Sequence, residues 1–136
     1  MLAIDANIFI ELLLKQERYE QSKEFLKKVC EGEIKAVVSN FTISGICIVL
    51  ERNGKNWKDI RTFLLSILAY KGLSVYQEKM YDKIIATTHM RDYKLDFEDC
   101  ITLQCALACK CDSLVSFDSD FDKIKCIHRV KPVDVI

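Results

Sequence analysis

Several things are missing from this 136-residue chain, and each absence closes off a class of function. It has no excess charge. Twenty lysines and arginines balance twenty aspartates and glutamates, which argues against wholesale wrapping of nucleic acid and leaves room only for a local basic face. No apolar run reaches the ~18 residues of a membrane span, so no membrane association is expected. The opening Met1-Leu2-Ala3-Ile4-Asp5 lacks the basic and long apolar regions of a secretory signal, and a cytoplasmic location is expected. There is no internal repeat, linker or low-complexity segment. The only proline, Pro132, marks an edge or terminus. Histidine is scarce: His89 and His128 stand alone and read as surface or packing residues rather than catalysts.

What remains is half hydrophobic and 29% charged, the composition of a soluble globular chain, and its length suits one domain over residues 1–136. A domain of this size buries roughly 68–70% of its unfolded surface and needs no covalent staples. The seven cysteines are odd in number and mostly lie inside apolar periodic segments, which fits free thiols in a reducing cytosol. Cys105 and Cys109 share a helical face with Cys111 close by, which invites a zinc reading. No second pair stands at finger spacing, and buried free cysteine is a common core residue.

Helical and extended patterns alternate along the chain. Asn7 to Leu14, Glu20 to Cys30, Phe41 to Arg52, Asn56 or Lys58 to Tyr70, Glu78 to His89 and Phe97 to Cys109 read as helices. Between them, Leu2–Ile4, Ala36–Val38, Leu73–Val75 and Ser113–Phe117 read as short strands; Ile127–Val130 and Val133–Ile136 would finish the sheet. Arg91 to Lys94 reads as a polar loop, and Asn40 as the cap of its helix. Trp57, Ile60, Phe63, Leu64, Ile67 and Leu68 form a wide apolar stripe expected in the core, with any overflow forming a homodimer face. Such alternation predicts an α/β fold, a three-layer α/β/α sandwich around a central, mostly parallel sheet.

Three aspartates stand out against that pattern. Asp5 follows the first strand, Asp118 follows Leu114–Phe117, and Asp99 opens the helix feeding that later strand. In an open parallel sheet ligands bind beyond the carboxyl ends of the strands, where the N-terminus of the preceding helix also lies. The three acids should therefore meet. Carboxylates held that close do not all ionise comfortably without a cation, and hard oxygen ligands favour Mg²⁺ or Mn²⁺. Each acid also has a plain explanation: Asp5 caps a helix, Asp99 sits three after Asp96 in a capping-box-like arrangement, and Asp118, Asp120 and Asp122 are turn residues. Caps alone do not require convergence.

These same residues carry a family resemblance. Ile4-Asp5-Ala6-Asn7-Ile8-Phe9-Ile10 resembles the opening of PIN domains, a metal-dependent nuclease fold. Leu95-Asp96-Phe97-Glu98-Asp99-Cys100 and the following Gln104-Cys105-Ala106-Leu107-Ala108 are similar to the family's third acidic motif. Leu114 to Asp122 resembles its last motif. The likeness extends from residue 3 to about residue 124 and is nearest to the compact toxin ribonucleases of prokaryotic toxin–antitoxin pairs. One departure is plain: where the family usually carries a glutamate on the helix after the second strand, this chain has Gly45. Glu51, six residues on, lies about 240° round a helix and is no simple replacement. Glycine in a helix costs roughly 1 kcal/mol relative to alanine, so Gly45 is expected to admit the close packing of another element.

The resemblance implies hydrolysis of single-stranded RNA with Mg²⁺ or Mn²⁺ and an antitoxin protein as partner, while a homodimer rests on the overflow of the Trp57–Leu68 stripe. It implies Asp5 and Asp99 as principal metal ligands and Asp118 as the third carboxylate, with Asp120 a weaker candidate. Asn7, Ser39, Asn40 and Ser116 would orient them. The Arg52, Lys55, Lys58, Arg61 stretch and the Lys23, Lys27, Lys28 stretch are candidate phosphate contacts or simply solvated faces. The alternative is a degenerate PIN module that binds RNA or a protein without cleaving, which Gly45 favours. Other acid-rich signatures fail: a calcium loop opening at Asp118 would need glycine and glutamate where Lys123 and Arg129 stand. A haloacid-dehalogenase-type phosphatase would need an aspartate at Asn7, and a receiver domain would need one ending its third strand.

Overall fold

The computed structural model describes residues 1–136. Five strands, β1 (Leu2–Ile4), β2 (Ala36–Ser39), β3 (Leu73–Tyr76), β4 (Ser113–Val115) and β5 (His128–Val130), form one sheet in the order β3-β2-β1-β4-β5. Every neighbouring pair is parallel. Six helices make the crossovers: α1 (Ala6–Leu13), α2 (Tyr19–Glu31), α3 (Asn40–Arg52), α4 (Trp57–Ala69), α5 (Met80–Tyr93) and α6 (Phe97–Ala108).

Strand residues alternate between two cores because successive side chains point to opposite faces. Ile4, Ala36, Val38 and Val115 join Phe9, Phe25, Ile46 and Phe63 on the face covered by α1 to α4. Ala3, Val37 and Leu114 join Ala86, Ile101, Leu103 and Phe121 on the opposite face, under α5 and α6. Both faces are buried, which is why the strands read as short continuous apolar runs. The three-layer α/β/α arrangement expected from the alternation is what forms.

The order of the strands fixes where a ligand can sit. The chain travels from β1 outward through β2 to β3, then returns to the other side of β1 for β4 and β5. The reversal falls between β1 and β4, and a crevice opens beyond their carboxyl ends at such a switch point. Asp5 is the residue after β1; Ser116 is the residue after β4.

Four local expectations are corrected. The sheet ends at β5: Pro132–Asp134 is a 3₁₀ turn, and Val133–Ile136 adds no strand. Arg91 to Tyr93 continue α5, which stops only at Lys94, a left-handed residue at φ 57°. Ser39, not Asn40, caps α3, its Oγ accepting from the Thr42 N–H at 3.1 Å; Asn40 is the first helical residue and is exposed. Of the α4 stripe, Phe63 and Ile67 are buried, whereas Trp57, Leu64 and Leu68 are exposed, Leu68 by 83%. The stripe is wider than the face that α1 and α3 cover.

Candidate active site

Asp5 sits at the bottom of the switch-point crevice, only 6% exposed. It caps α1, Oδ1 accepting from the Ala6 N–H at 2.8 Å, while Oδ2 accepts from the Ser116 hydroxyl at 2.6 Å. Ser116 is a hub: its Oγ also accepts from Asn7 Nδ2 at 3.2 Å and from the Asp118 N–H at 2.9 Å. Asn7 returns through Oδ1, which accepts from the Phe117 N–H at 3.3 Å. Two chain segments 111 residues apart are thus tied at the ends of β1 and β4, and both carboxyl oxygens of Asp5 are aimed.

Asp99 enters from the first turn of α6. Asp96 caps that helix by accepting the Asp99 N–H at 2.8 Å, which leaves the Asp99 carboxyl free of the capping task. Asp118 begins the 3₁₀ turn Ser119–Lys123 and accepts the Asp120 N–H at 2.9 Å. Burial, outweighing the donors from Ser116 and Ala6, pushes the Asp5 carboxyl up to about 6, and the charges of Asp118 and Glu98 add to it. Asp99 is pushed up to about 7, first by burial and then by Asp5, Asp96, Asp118 and Glu98. Asp5 and Asp118 also cap the elements that follow them, as read from sequence, whereas the capping-box role read for Asp99 does not form.

Asp120 is exposed in the 3₁₀ turn, and its N–H donates to Asp118 Oδ1 at 2.9 Å. Ser39 is buried and spends its oxygen on the α3 cap, and Asn40 makes no side-chain bond to the acids. Arg52 ends α3, about 18 Å along the helix from its start at the acid edge. Lys28 pairs with Glu33 at 3.3 Å.

Three neighbours were not singled out from sequence. Arg129 on β5 grips Asp122 through Nε at 2.7 Å and Nη2 at 3.0 Å, and its Nη1 donates to the Ser116 carbonyl at 3.1 Å. That fork holds the turn carrying Asp118. Arg18 stacks over Phe117, 4.2 Å from the ring centroid, and is held there by the buried Glu11 at 3.2 Å. Glu98 is the third. Nothing in the local pattern marks Arg18 or Arg129, because their partners lie in other elements.

The donor set is all oxygen. No group of three or more His, Cys, Asp or Glu side chains is arranged to hold a metal ion. An open set of carboxylates completed by water is how Mg²⁺ is usually held, whereas zinc centres draw on thiolate and imidazole. Asp5 and Asp99 are raised first by burial and then by neighbouring carboxylates, and such a cation offsets both effects. These residues fit Mg²⁺ or Mn²⁺. The seven cysteines are free, and none belongs to the acid cluster.

A parallel three-layer domain with carboxylates gathered at its switch point defines a class of acid-centred α/β proteins. The chain belongs to the PIN domain family, whose model matches residues 2–125. No match is found among curated proteins. Among solved structures it is similar to a toxin–antitoxin complex from Klebsiella pneumoniae, at 18% identity and TM-score 0.71, covering 97% of this chain and 98% of that one. It is also similar to Mycobacterium tuberculosis VapC20, a sarcin-ricin loop cleaving toxin, at 13% identity and TM-score 0.74, covering 90% and 93%. A third likeness is to VapBC2 from Rickettsia felis bound to a promoter DNA fragment, at 12% identity and TM-score 0.71, covering 96% and 97%. At such identities the likeness is one of fold.

Proposed function

We propose that the chain is a metal-dependent ribonuclease that hydrolyses phosphodiester bonds of single-stranded RNA and serves as the toxin of a toxin–antitoxin pair. The observation that carries this reading is the placement of Asp5 and Asp118 after neighbouring strands β1 and β4, with Asp99 in the first turn of the helix feeding β4, at the switch point of a PIN domain. Asp5 and Asp99 would hold Mg²⁺ or Mn²⁺, directly or through water, with Asp118 as the third carboxylate. When bound, the ion lowers the pKa of a water and stabilises charge on the phosphoryl oxygens. Ser116 and Asn7 orient Asp5, and Arg129 steadies the Asp118 turn. Arg18, stacked on Phe117 beside Asp118, offers a cation for an RNA phosphate at the rim.

A protein partner is supported by the surface away from the acids. A groove of about 370 Å³ runs between α1, α3 and α4, lined by Phe9, Leu12, Leu13, Leu50, Phe63 and Tyr70. Two of the similar structures are toxin–antitoxin assemblies, which makes an antitoxin the natural occupant of apolar surface here.

The test is Mn²⁺-dependent cleavage of a single-stranded RNA by the wild type and by Asp5→Asn. Cleavage lost in the mutant by at least 100-fold supports the reading. A specific observation favours the second reading, a module that binds without cleaving: α3 carries Gly45 and no acid facing the centre. RNA binding with no cleavage under any divalent ion would establish that alternative.

A further inference from the structure

The helices α3 and α6 pack against each other across the crevice, and the seam between them is unusual at one rung. Phe41 meets Phe97 edge to face, with ring centroids 5.6 Å apart. The Thr42 and Thr102 hydroxyls lie 3.5 Å apart. Gly45 is three residues after Thr42, and Glu98 is four before Thr102, so both stand on the facing sides of their helices. A Cβ built on Gly45 would lie 3.3 Å from Glu98 Oε1 and 3.9 Å from its Cδ. No other heavy atom lies within 4 Å of that position outside the glycine's own surroundings. The Glu98 carboxylate therefore crosses from α6 to α3 and lies where a side chain at position 45 would begin.

Glu98 is an acid without a cation. It takes part in no ion pair, and its carboxylate makes no hydrogen bond; only its backbone carbonyl accepts from a side chain, Thr102 Oγ1 at 3.3 Å. An exposed glutamate in the first turn of a helix gains a little from the dipole wherever its carboxylate points. Glu98 stands next to Asp99 in the first turn of α6, so two carboxylates are held there with no cation paired to either.

We propose that Glu98 is the fourth carboxylate of the acidic centre, delivered by α6 through the gap that Gly45 leaves in α3, and that it ligates the divalent ion directly or through water. This rests on reading the centre as a divalent-cation site. Gly45 then has a chemical role: it accommodates an acid reaching over from the neighbouring helix. The ligand is a hard divalent cation, and the expected cost of losing one charged ligand is on the order of tenfold in affinity, since ligand charge count sets affinity in such sites.

Mn²⁺ binding measured by calorimetry at neutral pH tests this without reference to activity. The wild type is compared with Glu98→Gln, with Asp5→Asn, and with a double variant in which Glu98→Ala is combined with Gly45→Glu. Thermal unfolding of each variant establishes that it is folded. The expected result is about tenfold weaker binding in Glu98→Gln, with affinity recovered in the double variant, where the carboxylate starts from α3 instead of α6. Unchanged affinity in Glu98→Gln, with binding lost in Asp5→Asn, overturns the role of Glu98 and leaves the metal centre standing. Absence of Mn²⁺ binding in the folded wild type overturns both.

Discussion

Asp5 and Asp99 show how burial and like charge act on single side chains. Both carboxyls lie above their ordinary range, at about 6 and about 7, while in the unfolded chain they titrate near 4. Between those values the folded protein holds more protons than the unfolded one, so stability falls as pH rises. Below pH ~4 both states are protonated and no penalty exists; the full cost of the buried charges is reached only above pH ~7. Metal-free protein should accordingly melt at a lower temperature at pH 8 than at pH 5. Asp99→Asn, which removes the larger shift, should flatten that slope. Denaturation in the presence of a chelator across this range checks it, and a slope unchanged in the mutant would assign the effect elsewhere. Saturating Mn²⁺ should counter the loss at high pH, because it binds the ionised form and releases protons.

The elements are joined by two devices that no single helix or strand reveals. Gly72 precedes β3 where the chain passes under the end of α2. A Cβ there would lie 2.2 Å from the Ile34 carbonyl oxygen and 2.7 Å from that of Val29, and both are backbone atoms that do not swing aside. Gly72 also donates its N–H to Val29 at 2.9 Å and its carbonyl accepts from Ala36 at 2.8 Å. Gly72→Ala should therefore cost about 1–3 kcal/mol or more in urea denaturation, by forcing the α2–β2 corner apart. On the opposite face a buried polar network ties β3, α5 and α6. Asp82 accepts from the Tyr76 hydroxyl at 2.8 Å, from the Lys79 N–H at 2.9 Å and from Gln104 Nε2 at 3.1 Å, and Gln104 reaches His89 at 3.0 Å. Burial raises the Asp82 carboxyl, but those donors and the Lys79 charge outweigh it and hold the group below its usual range. Asp82→Ala strands three donors and should cost about 1–3 kcal/mol, more at pH 7 than at acid pH, where protonation already removes the benefit. His89, read from sequence as a packing residue, is the outer end of this network.

For the whole molecule, the parallel order β3-β2-β1-β4-β5 is what turns scattered acids into a site. It also leaves one helix under-covered. Trp57, Leu65 and Leu68 on α4 are 67%, 55% and 83% exposed, a density that suits self-association or a protein partner. Leu68→Glu should change stability by less than about 0.5 kcal/mol, since nothing is packed on the side chain, yet weaken any dimer. Analytical ultracentrifugation of both proteins decides it; identical sedimentation would move the interface elsewhere.

Much of this was legible in local patterns. Short apolar runs bounded by caps marked the strands, and Asp5, Asp99 and Asp118 each stood where a strand end or a helix start places an acid at the same sheet edge. Capping by Asp96 was equally local, since a cap bonds within three residues of itself. Other features depended on packing between distant segments. The continuation of α5 through Tyr93 and the stop at β5 overrode polar and apolar stretches that favoured a loop and a sixth strand. Ser116 became the hub because β1 and β4 are neighbours, and Arg18, Arg129 and Glu98 entered the picture through partners far along the chain. Local propensity and hydrophobic period were enough to specify most of the elements and the fold class. Strand order, the crossing of α3 over α6 at Gly45, and the uncovered face of α4 arise from long-range burial, whose energy belongs to pairs of elements and is written in no one stretch of sequence.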